Sequence, residues 1–145
     1  MPANELGVWV HRLYQVYLLQ PELLDKALSM QPVCVTEDAQ KREITAHLEG
    51  FKQHVNALTG GARQWKCELH VTGLRPNGQV VSGEIDLLVE GEADWWLIDH
   101  KTDITASATN HIDQLLTYRQ TCGALKVGNL AINWARVGQL EAFGQ

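Results

Sequence analysis

Two hydrophobic periods divide the chain. In roughly the first sixty residues the apolar positions recur every three or four, the spacing of one helix face; beyond them they alternate, as on a half-buried strand. In "NELGVWVHRLYQVYLLQ", Leu6, Val10, Leu13 and Tyr17 are spaced four, three and four, which predicts a first helix with Asn4 as its N-cap. Pro21 fits the first turn of a short second helix, "PELLDKALSM". A third follows in "TEDAQKREITAHLEGFKQHVNALTGG". There Ile44, Leu48, Phe51, Val55 and Leu58 keep the three–four spacing, and Gly60 and Gly61 supply the stop.

The second period begins at "RQWKCELHVTGL", which alternates and predicts a strand, with "RPNGQ" as the turn after it. "VVSGEIDLLVEG" is a second strand, "GEAD" a turn and "WWLIDHKT" a third strand. "ITASATNHIDQLLTYRQTCG" reads as a loop and then a helix from about Asn110, with Ile112, Leu115, Leu116 and Arg119 near one another on its surface. "NLAINWARV" and "QLEAFG" close as a strand pair around "GQ". This order predicts an α/β (α+β) fold, with a mixed central sheet flanked by helices. No repeat, low-complexity stretch or linker interrupts it. A single domain is expected over 1–145, with helices in 4–59 and the sheet and its helix in 64–145.

Composition narrows the reading without deciding it. A chain of 145 residues that is 45% hydrophobic can bury one core of ordinary size. The net charge of -5 argues against a broad basic surface, but leaves room for a local basic groove or for acids gathered around a metal. Cys34, Cys67 and Cys122 are far apart and form no CxxC pair, so free thiols are expected and zinc or iron–sulfur ligation is not. The N-terminus lacks the basic and apolar regions of a secretory signal, and no apolar run approaches the ~20 residues of a membrane span. A soluble, cytoplasmic protein without membrane contact is the expectation.

Two aspartates change the picture. Asp86 lies in "GEIDLLV" and Asp99 in "WWLIDHK", both inside apolar strands. A buried carboxylate without a partner is costly. A hairpin connects the two strands and can bring the acids together; two close carboxylates repel unless a cation lies between them. A hard divalent ion with oxygen ligands removes that conflict. Lys101, two residues after Asp99, points to the same strand face. A metal ligand and an ammonium then meet at one spot, which suits phosphodiester hydrolysis. The bland alternative is a buried Asp–Lys ion pair at a sheet edge, since D-x-K alone is a common tripeptide.

"GEIDLL", "WWLIDHKTD" and "HIDQLLTYRQ", taken in order, resemble the PD-(D/E)xK nuclease superfamily and are most similar to the RecB/AddA-type nuclease domain that ends certain DNA helicase subunits. The resemblance runs from His11 to Tyr118 and implies a restriction-endonuclease-like core. It implies Asp86 and Asp99 as metal ligands and Lys101 as the catalytic lysine. Gln114 and Tyr118 match the family's Q-x-x-x-Y helix, and Gly7 and His11 in "LGVWVH" match its G-x-x-x-H, with His11 a further ligand. The backbone carbonyl of His100 is implied as a ligand too, while its imidazole points to the opposite face and reads as structural. Glu68 in "WKCELHV" reads either as the acid of the family's first strand or as a solvated glutamate.

The resemblance thus implies an Mg²⁺- or Mn²⁺-dependent deoxyribonuclease without an iron–sulfur cluster, an exonuclease module acting on DNA in repair or recombination beside a helicase domain or subunit. No GxxxxGK[ST] phosphate loop occurs, so the motor itself is not in this sequence. Two rival readings keep the fold: a DNA-processing module that has lost activity, and a domain that docks a protein partner and uses its Asp–Lys pairs for packing. His47, His54, His70 and His111 lack partners at ligand spacing and are expected at the surface. Trp95 and Trp96 face opposite sides of their strand, one toward the core and one toward the helix over 111–122.

Overall fold

In a computed structural model, which describes residues 3–31, 38–74, 77–102, 116, 119, 127–135 and 138–143, both periods become the elements they predict. Helix α1 spans Ala3–Leu19, a 3₁₀ turn Pro21–Leu23, α2 Leu24–Ser29 and α3 Asp38–Thr59. The strands are β1 (Gln64–Leu74), β2 (Val80–Glu90), β3 (Trp95–Lys101), β4 (Val127–Trp134) and β5 (Gln139–Phe143). Asn4 falls within α1 rather than at its cap. The inward stripe of α1 is wider than the spacing suggested: Trp9, Val10, Leu13, Tyr14 and Leu18 are buried, and Tyr17 is half-buried. In α3, Leu48, Phe51 and Val55 are buried, but Leu58 is 40% exposed and Thr59 takes the inward place. Helical rotation explains the exchange, because Thr59 continues the four-residue step from Val55.

The stop after α3 works as its glycines imply. Gly60 and Gly61 have φ of 77° and 108°. Their left-handed backbone lets Gly61 N–H donate to Asn56 O at 2.8 Å, and Ala62 N–H donates to Asn56 Oδ1 at 2.9 Å. The chain is thereby turned into β1.

The five strands lie side by side in chain order. β1, β2 and β3 form an antiparallel meander, β3 and β4 run parallel, and β5 returns antiparallel to β4. The parallel β3–β4 pair requires a crossover between Lys101 and Val127. Leu116 and Arg119, within the expected crossover helix, are helical. Gln114, Tyr118 and His111 lie outside the described residues, as do Cys34 and Cys122.

Each face of the sheet carries its own core. Leu87, Val89, Ile98 and Ala131 pack under α1 and α3, against Leu13, Tyr14, Leu48, Phe51 and Val55. Ile85, Leu88, Leu97, Leu130, Ile132 and Trp134 form the second core, with Leu116 against it. Trp96 joins the first core and Trp95 the second. Each such fully buried side chain contributes ~1.5–3 kcal/mol relative to exposure, so the central strands form a stiff platform.

The alternation of β1 is interrupted at one point. Cys67 packs in the first core but Leu69 in the second, although residues two apart in a regular strand share a face. In β2, Ile85 and Leu87 are divided in the same way. Between them stand Glu68 and Asp86, and Glu68 has φ of 54°, a left-handed conformation unusual for a non-glycine residue. The half-turn at Glu68 switches the strand's facing.

Candidate metal centre

β2 and β3 pair from Glu90↔Trp95 through Leu87↔Ile98, and the described ladder ends there. The next residues on each strand are Asp86 and Asp99. Both are buried, at 8% and 7% exposure. The backbone N–H of His100, freed from the ladder, donates to Asp86 Oδ2 at 2.8 Å. A carboxylate thus occupies the place of a strand carbonyl, and the two acids are held face to face where the strands part.

Three more side chains converge there. His11, from the middle of α1, places Nδ1 3.5 Å from Asp86 Oδ1. Its Nε2 lies 3.0 Å from the His100 carbonyl. A carbonyl only accepts, so Nε2 donates in that contact, and Nδ1 is the ring nitrogen that faces Asp86. Glu68 comes from β1, between the Cys67↔Leu87 and Leu69↔Ile85 pairs and therefore opposite Asp86. One potential ligand atom from each of His11, Glu68 and Asp86 lies within 4.8 Å of the other two. Lys101 Nζ stands 2.8 Å from Asp99 Oδ2.

The electrostatics are those of acids crowded together away from water. Burial, followed by the hydrogen bond and the charge of Asp99, raises the Asp86 carboxyl far above the ordinary range, to about 9; the His100 N–H opposes the shift. Glu68 is also raised, chiefly by burial. The neighbouring Cys67 thiol is pushed to about 12 by burial and by the same acids, and is no nucleophile. Asp99 Oδ2 is buried and is held by the Lys101 ammonium at 2.8 Å. Buried carboxylates held together beside an imidazole nitrogen form a donor set that could hold a divalent metal ion.

The sequence of the chain matches the family model of the PD-(D/E)XK nuclease superfamily over residues 2–139. The chain belongs to that superfamily. No curated protein matches it. Membership makes metal-dependent nuclease chemistry the frame in which a PD-(D/E)XK chain's acids are read. Among the described residues no helix is long and apolar enough to cross a membrane.

The geometry treats the sequence candidates unequally. His11, Asp86, Asp99 and Lys101 converge, and the His100 carbonyl faces His11. The His100 imidazole points away, as alternation requires, and is 3% exposed; burial is the main cause that lowers it to about 3, so it stays neutral. Gln114 and Tyr118 fall outside the described residues. Glu68, left between two readings by the sequence, is half-buried at the site rather than solvated. Its signal was positional: once the hairpin register is known, it is the residue opposite Asp86. His47 departs from a free surface position, with Nδ1 3.2 Å from the Ala135 carbonyl. His54 and His70 are exposed.

Proposed function

We propose that this PD-(D/E)XK domain is a metal-dependent deoxyribonuclease of the RecB/AddA type, an exonuclease module serving a helicase domain or subunit in DNA repair or recombination. The observation that carries the hydrolytic reading is the convergence of His11, Glu68, Asp86, Asp99 and Lys101 where the β2–β3 ladder ends. The finer assignment rests on the resemblance of the His11, Asp86, Asp99–Lys101 and Gln114–Tyr118 motifs.

His11, Asp86 and Asp99 would hold Mg²⁺ or Mn²⁺, with Glu68 and the His100 carbonyl beside them. Such an ion supplies charge neutralisation at the phosphate and a water of lowered pKa. Lys101, tethered by Asp99, orients the attacking water and offsets the charge that grows on the phosphoryl oxygens. Asp86 is kept from ordinary ionisation by burial and by Asp99, so cation binding and proton release are coupled at one carboxyl. Water attacks phosphorus directly, and no side chain forms a bond to the substrate. Gln114 and Tyr118 brace the site or contact the DNA backbone in this reading. With an overall charge of -5, tight DNA binding is left to the helicase partner.

The test is cleavage of end-labelled linear single- and double-stranded DNA with Mg²⁺, with Mn²⁺ and with EDTA, using wild type, Asp99→Ala and Lys101→Ala. Metal-dependent cleavage lost in both variants is expected, and the label shows which end is cut. No cleavage, with Mn²⁺ stabilising wild type but not Asp99→Ala, would place the missing element in the helicase partner. No cleavage and no metal effect would sink the reading.

A further inference from the structure

His100 holds the site together through its backbone, and its ring meets the site only at His11, edge-on with centroids 5.6 Å apart. Its N–H fixes Asp86, its carbonyl engages His11, and its chain neighbours are Asp99 and Lys101. What fixes His100 is a bracket behind the sheet. The ring stacks on Tyr14 of α1, with centroids 4.5 Å apart and planes 24° from parallel. Phe51 of α3 meets it edge-on at 5.6 Å. Asn133, its partner in the parallel β3–β4 ladder, places Nδ2 3.0 Å from His100 Nδ1, and its side chain also acts on the Tyr14 hydroxyl, lowering its pKa against the rise caused by burial. An amide nitrogen only donates, so His100 Nδ1 is the acceptor and the ring is held in one tautomer. Asn133 is 2% exposed and Tyr14 also 2%, so water cannot replace either contact cheaply.

We propose that Asn133 and Tyr14 are positioning residues for the divalent ion: by clamping the His100 ring from behind, they fix the His100 peptide, and so the spacing of Asp86, His11 and the carbonyl around the ion. This deepens the nuclease reading above and rests on it. The clamp is made by α1, α3 and β4, none of which carries Asp86 or Asp99. Packing of α3 and β4 is therefore linked to ion affinity through the His100 peptide, and packing of α1 through that peptide and through His11. Outer contacts that orient ligands in this way are typically worth ~10–100-fold in metal affinity.

Mn²⁺ affinity and stoichiometry are to be measured by calorimetric titration, and melting without metal by circular dichroism, for wild type, Asn133→Leu and Tyr14→Phe. DNA cleavage is followed against Mn²⁺ concentration. Asn133→Leu is expected to bind Mn²⁺ ~10-fold more weakly at unchanged stoichiometry, and Tyr14→Phe ~3-fold more weakly. In both, cleavage at saturating Mn²⁺ should return to near the wild-type rate. Tyr14→Phe keeps the ring and loses one hydroxyl, so it reads out the proposal even if Asn133→Leu does not fold. Affinities of the folded variants within twofold of wild type, whatever their melting temperatures, would show a packing role and overturn the inference while leaving the nuclease reading intact. A wild type that binds no Mn²⁺ would overturn that reading and this one together.

Discussion

The β2–β3 hairpin has two halves made from the same two strands, and they do opposite things. Near the turn, Leu87, Leu88, Val89, Leu97 and Ile98 are each at most 1% exposed, and the strands pair regularly. Beyond Leu87 and Ile98 the described pairing ends, and Asp86 and Asp99 replace apolar residues. Neither half works alone. The apolar half holds the strands in a register that brings the acids opposite each other, and the open half frees a backbone N–H that Asp86 then binds. The closed half therefore contributes stability, whereas the open half gives stability up to hold two acids together.

That contrast is sharpest in a pair of substitutions. Asp86→Asn keeps the acceptor for His100 N–H and removes one of two crowded carboxyls. Nuclease activity should fall by ~10³-fold or more, on the scale of removing a principal charge-stabilising group. The metal-free protein should nevertheless become more stable at neutral pH and above, by at least ~1 kcal/mol, the worth of about one unit of relieved pKa shift. Leu88→Ala in the closed half should do the reverse. It should cost ~2–5 kcal/mol by cavity formation, with cleavage by the folded fraction unchanged. Urea denaturation without metal and cleavage at low temperature check both. If Asp86→Asn destabilised the protein as Leu88→Ala does, the two halves would not differ in kind.

The pH dependence comes next in size. Asp86 is raised in the folded state, so over the interval between the ordinary carboxylate pKa and about 9 the folded protein holds a proton that the unfolded chain has lost. Stability contributed by that proton is present below the unfolded pKa and is lost as pH rises toward the folded one. Without metal, the melting temperature should decline from pH 5 to pH 9 in wild type and decline less in Asp86→Asn. Saturating Mn²⁺ should remove most of the wild-type decline, because the ion takes the proton's place. A flat wild-type profile in EDTA would mean that the two carboxyls do not crowd each other.

The two halves were also unequally legible in the sequence. The closed half is written in local patterns: alternation gives the strands, the three–four period gives the helices and "TGG" gives the stop after α3. These needed no knowledge of the fold. Asp86, Asp99 and Lys101 were visible because acids inside apolar strands break the pattern. Asn133 and Tyr14 were not, because they obey it. "NLAINWARV" reads as an ordinary strand and Tyr14 as an ordinary core aromatic until parallel pairing sets Asn133 beside His100. Non-local register was the missing information, and no period in the chain encodes it. Glu68 failed for another reason: strand periodicity assumes an extended backbone, and Glu68 is left-handed.

Glu68 also gives the smallest test of the contrast. A non-glycine residue at φ of 54° costs ~1–2 kcal/mol, and strain of this kind persists where the surroundings impose it. Here it turns the Glu68 carboxyl to the site and switches β1 from one core to the other. Glycine adopts that backbone freely, so Glu68→Gly should relieve the strain and one buried acid together. Part of the gain is offset by the greater freedom of glycine in the unfolded chain. The metal-free protein should be as stable as wild type or up to ~1 kcal/mol more stable, while Mn²⁺ binds several-fold more weakly. Glu68→Ala also removes the carboxylate but keeps the Cβ in the left-handed region, so it should lose the same metal affinity and gain less stability. Equal melting temperatures for the alanine and glycine variants would show that the left-handed turn stores no strain, and that Glu68 is held at the site by β1 pairing alone.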